Sequence, residues 1–258
     1  MLRTADFHSL AFSPDDPNVV LFGHHNGVMR SEDGGRTWAP LAARPNFDAM
    51  GLAVSRANPK RIYMAGHNIF FMSDDGGRSW GPVSHDLPGT DIHAFAMSPT
   101  DPARLYAFVV GYGTFMSTDG GRRWRLLPGN LPGDLMALAA AGGNPEVLYA
   151  GSMRLGMLRS PDGGRTWAAT TGLSLSRVFT LAVDSTRPET VYAGGAGGLY
   201  KSRDGAATWE KLPFPASHAI VVAVSPARPD TLLGIAADDG QGIVHRSVDG
   251  GMTWNAHP

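Results

Sequence analysis

Three observations in this sequence predict an all-β fold built from six copies of one four-stranded antiparallel unit. The octet Ser31-Glu32-Asp33-Gly34-Gly35-Arg36-Thr37-Trp38 returns five times, as Ser73 to Trp80, Ser117 to Trp124, Ser160 to Trp167, Ser202 to Trp209 and Ser247 to Trp254. Each copy reads S-x-D-G-[GA]-x-x-W, and together they hold all six tryptophans of the chain, spaced 42, 44, 43, 42 and 45 residues apart. Between the copies lie short runs rich in apolar, β-branched and aromatic residues, bounded by Gly, Pro, Asp and Asn. A fixed period in the low forties with strand-like content is the signature of propeller blades. The expectation is a single six-bladed β-propeller over residues 1–258, with blades at approximately 6–43, 48–85, 91–129, 134–172, 177–213 and 218–258.

The third unit shows the pattern best. Its strand signals are Ile92 to Met97, Leu105 to Val109, Gly113 to Ser117 and Arg123 to Leu127. The first two are joined by a Pro-containing turn, Ser98-Pro99-Thr100-Asp101-Pro102, which returns as Ser13 to Pro17 and Ser225 to Pro229. The last two are joined by the S-x-D-G-G turn itself. Asp-Gly between strands signals a hairpin, because Gly accepts positive φ and Asp bonds its own backbone. The Trp opens the last strand and can cover the hairpin's apolar face.

Taken in order, the first unit opens with His8 to Phe12, followed by Val19 to Phe22 and Val28 to Ser31. The later units begin near Asp48, Asp91, Asp134, Arg177 and His218, and the sixth stops with Trp254 to Pro258. The phase of the repeat matches the phase of the chain. Closure by face-to-face packing of blades one and six is therefore expected, with no strand exchanged between the termini. One parity of the first strands is small (Ala11, Gly51, Ala53, Ala94, Ala96, Ala137, Ala139, Ala182, Ala223) and the other large (Leu10, Leu52, Phe95, Leu138, Leu181, Val222), as close packing around a narrow axis requires. Tyr63, Tyr106, Tyr149 and Tyr192 recur at one place in the second strand and read as blade packing with a tethered hydroxyl.

Composition removes several functions. Six units of about 43 residues leave no room for a second domain. A formal charge of -1 without a basic block argues against nucleic acid. No apolar run reaches membrane-spanning length. The absence of cysteine removes disulfides, thiol chemistry and thiolate metal sites. The chain is expected to be a monomer, cytoplasmic as it stands or extracytoplasmic if a leader preceded it.

The octet resembles the Asp-box, or BNR, repeat of sialidases, sortilin-type receptors, xyloglucanases and photosystem II assembly-factor-like propellers. All six units carry it, with Ala206 replacing the second Gly in the fifth. The resemblance implies that Asp33 and its equivalents are hairpin clamps on the face away from any ligand. It also raises the question of a glycosyl-hydrolase-like activity. Sialidases of this fold use three Arg, a Tyr-Glu pair and an Asp. The expected ligand face here offers only Arg177, Arg154 and Arg44, with Tyr112 as the one tyrosine not committed to packing and no Glu. No catalytic residue is assigned.

The loops that enter the first strands share one face with those joining strands two and three, opposite the S-x-D-G turns. The strand-opening position reads Asp6, Asp48, Asp91, Asp134, Arg177, His218; two residues on, it reads His8, Met50, His93, Met136, Phe179, Ile220. The loops between strands two and three add His24, His25, Asn26, His67, Asn68, Tyr112, Arg154, Asp238 and Asp239. Six of the nine histidines fall in this set, more clustering than a scattered surface would give. Three readings stay open. The Asp residues are turn formers beside a solvated channel. Alternatively, His8, His93, His24 and His67 hold a divalent metal at the channel mouth; carboxylate with imidazole suits Zn, Ni or Mn, and Met with His suits copper. In the third reading Asp6, Asp48, Asp91, Asp134, Arg177, His218, Tyr112 and Arg154 line a pocket for a small-molecule, carbohydrate or protein ligand. The functional expectation is a non-catalytic propeller that binds a ligand, cation or partner at this mouth. The alternative is a glycosidase using Asp48 with Asp134, or Asp6 with Asp91, as an acid-base pair.

Overall fold

A computed structural model describes residues 2–4, 6–129, 131–238 and 241–257. Six antiparallel sheets follow one another in chain order, each with its strands in sequence from first to fourth. Blade one is Ser9–Phe12, Val20–His24, Gly27–Ser31 and Ala39–Ala43. Blade three is Ile92–Met97, Leu105–Val109, Gly113–Ser117 and Trp124–Leu126. The first strands touch their neighbours all the way round, the sixth returning to the first. The fold is a six-bladed β-propeller. Among the described residues there is no helix, so none long and apolar enough to cross a membrane.

The S-x-D-G turn joins the third and fourth strands of every blade, and its side chains replace the backbone partners that a tight turn lacks. In blade one Ser31 Oγ donates to Asp33 Oδ1 at 2.8 Å and accepts from the Gly35 amide. Asp33 Oδ1 then accepts from the Arg36 and Thr37 amides, and Oδ2 from the Thr37 hydroxyl at 2.6 Å. Gly34 and Gly35 carry φ of 76° and 93°, which only glycine adopts without strain. Ala206 holds φ 74° at the corresponding place in blade five. In blades one, two, three and six the Trp indole closes the turn by donating to the second glycine's carbonyl, as in Trp38 to Gly35 at 3.1 Å and Trp124 to Gly121 at 2.8 Å, whereas Trp167 Nε1 and Trp209 Nε1 are buried without a partner.

The core is divided into six apolar clusters, each between two neighbouring blades. A blade thus buries both faces and depends on both neighbours. The four repeated tyrosines are among the largest fully buried side chains. Tyr106 donates to Glu146 in the next blade at 2.7 Å, and Tyr63 reaches the Gly120 carbonyl. The Tyr192 hydroxyl lacks a partner, and the Lys201 ammonium sits over the Tyr192 ring, 5.2 Å from its centre.

Closure differs from the sequence expectation. Leu2–Arg3 forms a short strand on the Gln241–Ser247 strand of blade six, pairing Leu2 with Gly242 and Arg3 with Gln241. Leu2 is buried in the cluster between blades six and one. The match of repeat phase to chain phase pointed to packing alone, and a two-residue strand outside the repeat leaves that phase unchanged. Arg246 adds a polar latch across the same seam, donating to the carbonyls of Pro17 and Gly34, both at 3.1 Å.

A narrow axial cavity of about 260 Å³ runs between the first strands. One end is walled by His8, Met50, His93, Met136 and Phe179, the other by Arg56, Ser98, Pro99 and Ser185. At the latter end Arg56 Nη1 donates to the Ser185 carbonyl at 3.1 Å, joining blade two to blade five across the axis.

Candidate functional site

The channel mouth opposite the S-x-D-G turns gathers a histidine-carboxylate network around Asp48. Two glycines set its backbone. A Cβ on Gly66 would lie 1.7 Å from the Asp48 carbonyl oxygen, and one on Gly23 would lie 2.4 Å from that of Ala49. Only glycine at both places lets the ends of two second strands close on the Asp48-Ala49 segment. Ser9 Oγ donates to the Ala49 carbonyl at 2.9 Å, tying this segment to blade one.

Asp48 is 2% exposed, and three imidazoles meet it. His67 Nδ1 lies 2.5 Å from Oδ2 and His25 Nδ1 lies 3.2 Å from the same oxygen. His8 Nε2 lies 2.8 Å from Oδ1, off the line of a hydrogen bond, so both of those atoms stay without one. Burial pushes this carboxyl upward. The close imidazole of His8 and the hydrogen bond and charge of His67 outweigh burial and hold it at about 2. Asp48 is thus an anion at neutral pH.

The network continues into blade three. His67 and Asp91 form an antiparallel bridge between the second loop of blade two and the start of blade three. The bridge is fastened by Asn68 N to Thr90 O at 2.9 Å and by Thr90 Oγ1 to Asn68 Oδ1 at 3.0 Å. The register then slips between Ile92 and Ala94, making His93 the extra residue of a β-bulge. The same slip falls at Met136 and Phe179 in blades four and five, and all three side chains wall the channel. His93 Nε2 lies 2.9 Å from His67 Nε2 and 3.3 Å from Asp91 Oδ1, which in turn lies 3.5 Å from His67 Nε2. Asp91 Oδ1 is buried and has no hydrogen-bond partner. Burial pushes the His93 imidazole down, so it is neutral at pH 7.

The other residues singled out in the sequence are placed differently. Asp6, His8 and His25 form a second group whose ligand atoms lie within 4.8 Å of one another, with Asp6 exposed. His24 is engaged within its own loop and strand: its Nδ1 accepts from the Asn26 amide at 3.3 Å and its ring stacks on Phe22. Burial pushes His24 down as well. Asp134 is tied to Ser152 at 2.7 Å and to Arg154 at 2.8 Å. Arg177 and Tyr112 are exposed, and the Tyr112 ring lies over Gly89. His218 bonds Ser217 at 2.8 Å and bridges Ala196, the arrangement that His67 and Asp91 occupy between blades two and three. Asp239 lies outside the described residues. The mouth is therefore unequal, with imidazole and carboxylate over blades one to three and ion-paired or exposed groups over the rest. His25 belongs to the Asp48 network, and only its place in a His-rich second loop marked it in the sequence.

No protein-family profile matches the chain, and no curated protein matches it in sequence. Solved structures do resemble it. A GH74 xyloglucanase from Xanthomonas campestris superposes with a TM-score of 0.69 at 21% identity, over 98% of this chain and 45% of that one. The chain thus spans less than half of that enzyme. YCF48 from Cyanidioschyzon merolae gives 0.61 at 18% identity, over 100% of this chain and 86% of that one. A structure of YCF48 bound to a D1 peptide gives 0.61 at 18% identity, over 100% and 82%. At these identities the likeness is one of fold, a β-propeller scaffold similar to those of a glycoside hydrolase and of a peptide-bound factor.

Proposed function

We propose that this chain is a non-catalytic Asp-box propeller that binds its ligand at the channel mouth opposite the Asp-boxes. One observation carries the reading: His8, His25 and His67 converge on the buried Asp48 at the end where the loops of blades one to three meet. The fold needs no such network, because blades four to six close without one. Loops held by a rigid scaffold are where propellers place recognition. The Asp-boxes support the same assignment by being spent on their own turns; Asp33 and Asp249 each accept bonds from a Ser or Thr hydroxyl and from backbone amides. That YCF48 takes a D1 peptide on a similar scaffold supports a protein or peptide as one ligand class.

The alternative is a glycosidase using the same mouth, which the xyloglucanase likeness keeps in view. An Asp48–Asp134 pair fits it poorly. Asp48 held at about 2 has no proton to donate near neutrality, and Asp134 is committed to Ser152 and Arg154.

Two measurements test the proposal. Labelled protein on an array of synthetic glycans and peptides retains probes that a His8→Ala/His67→Ala variant loses; identical profiles for the two would defeat it. A panel of aryl-glycosides and sialosides shows no turnover, whereas hydrolysis abolished by Asp48→Asn or Asp134→Asn would establish the enzyme instead.

A further inference from the structure

We propose that His67 Nε2, His93 Nε2 and Asp91 Oδ1 form one face of a binding site for a divalent first-row transition-metal ion, with Asp48 as the positioning residue that holds His67 in its ligating tautomer. This deepens the reading of the mouth as the binding end and rests on it.

The geometry carries the proposal. The three atoms form a triangle with edges of 2.9, 3.3 and 3.5 Å. Ligand bonds of about 2.1 Å give ligand-to-ligand edges of about 3.0 Å in an octahedral site and about 3.4 Å in a tetrahedral one. The observed edges span that interval. An ion about 2.1 Å from all three would sit about 0.9 Å out of their plane, so the separations of the three atoms already match those of metal ligands. Two imidazoles and one carboxylate suit Zn, Mn, Co, Ni or Fe and leave positions open for water or a ligand oxygen.

Three features show that this is more than a chance cluster. The Nδ1 hydrogen of His67 is taken by Asp48 Oδ2, which leaves Nε2 with its lone pair toward the triangle. A carboxylate behind a histidine in this way is the usual outer support of a metal ligand. Asp91 Oδ1 is buried without a hydrogen-bond donor, an acceptor left idle in the place a cation would use. His67 and Asp91 are also fixed to each other through their backbones, so two of the three ligands are held before any ion arrives. The repeat adds a contrast. Blades five and six form the same bridge with Ala196 and His218, so the scaffold does not need these ligands.

The neighbouring group of Asp6, His8 and His25 is the weaker candidate. Its His8 Nε2 is already at 2.8 Å from Asp48, and its Asp6 is exposed.

The test is a titration of the tag-free full chain, stripped with a chelator, using cobalt, zinc or manganese chloride alone. Calorimetry gives one ion per chain, and cobalt adds the visible absorption of a nitrogen-oxygen ligand set. His93→Gln and Asp91→Asn weaken binding by about a hundredfold or more. Asp48→Asn keeps the stoichiometry and weakens binding by about ten- to a hundredfold, as expected for outer support. Asp6→Asn changes nothing. Nitrogen chemical shifts of the His67 and His93 imidazoles in the unsubstituted protein move on addition of zinc, a readout that needs no variant to fold. Absence of binding, binding unaltered in His93→Gln and Asp91→Asn, or binding lost in Asp6→Asn overturns the proposal. Because only a metal salt is added, that failure leaves the array and turnover results standing. A mouth that retains no organic probe likewise leaves the metal stoichiometry untouched.

Discussion

Asp48 Oδ2 meets His67 Nδ1 at 2.5 Å, so the start of one strand is locked to the loop that follows the next. The same carboxylate takes His25 and His8 from the preceding blade. It is a buried anion that joins two blades. Asp48→Ala would leave three imidazoles facing an empty site, and the expected loss is about 2–4 kcal/mol of unfolding free energy. Chemical denaturation followed by tryptophan fluorescence measures it; a loss below half a kilocalorie would show that the network contributes little to the seam.

Acid should unfold the protein through the turns. Thr166 holds Asp162 at about 2, Thr208 does the same for Asp204 and Thr253 for Asp249, by hydroxyl and backbone hydrogen bonds, against a usual 3.8. Their folded values are depressed, so their stabilisation is complete above about pH 4 and disappears as pH falls through about 2. Circular dichroism against pH is expected to show the loss of sheet concentrated in that window. Asp162→Asn should reduce the steepness of the transition.

Blade three offers a gain. Its turn carries Arg123 where four others carry Thr and one Ser, so Asp119 accepts from Ser117 and two amides without the further hydroxyl. Arg123→Thr restores that donor and is expected to raise the Tm by about 1–3 °C. Calorimetric scanning checks it, and an unchanged or lower Tm counts against the hydroxyl as a stabilising element.

The amino-terminal strand is a fourth point of test. Leu2 is 3% exposed at the seam of blades six and one. Leu2→Ala is expected to cost about 2 kcal/mol, the low end for a buried leucine because a chain end can partly collapse into the space. Denaturant titration shows whether the two-residue strand helps close the ring.

The fold was legible because six turns repeat one chemical requirement. A tight hairpin needs Ser, Asp and Gly at fixed places and a Trp to cover it, and a period of such turns leaves little choice of architecture. The mouth was legible only as a pair of rows. Asp48 and Asp134 stand at the same point of the repeat, yet one meets three histidines and the other Ser152 and Arg154. The difference lies in the neighbouring loops, whose side chains choose partners in three dimensions. His93 carries a similar lesson. Its bulge shifts strand parity at one residue, and no hydrophobic pattern records that. The Leu2–Arg3 strand is shorter than any periodicity can reveal.

The bond from Arg56 to Ser185 spans the axis from blade two to blade five. These two blades share no seam, so the bond ties opposite sides of the ring directly, where, among the described residues, every other blade is held only through its neighbours. A substitution at Arg56 is therefore felt on both sides of the axis at once.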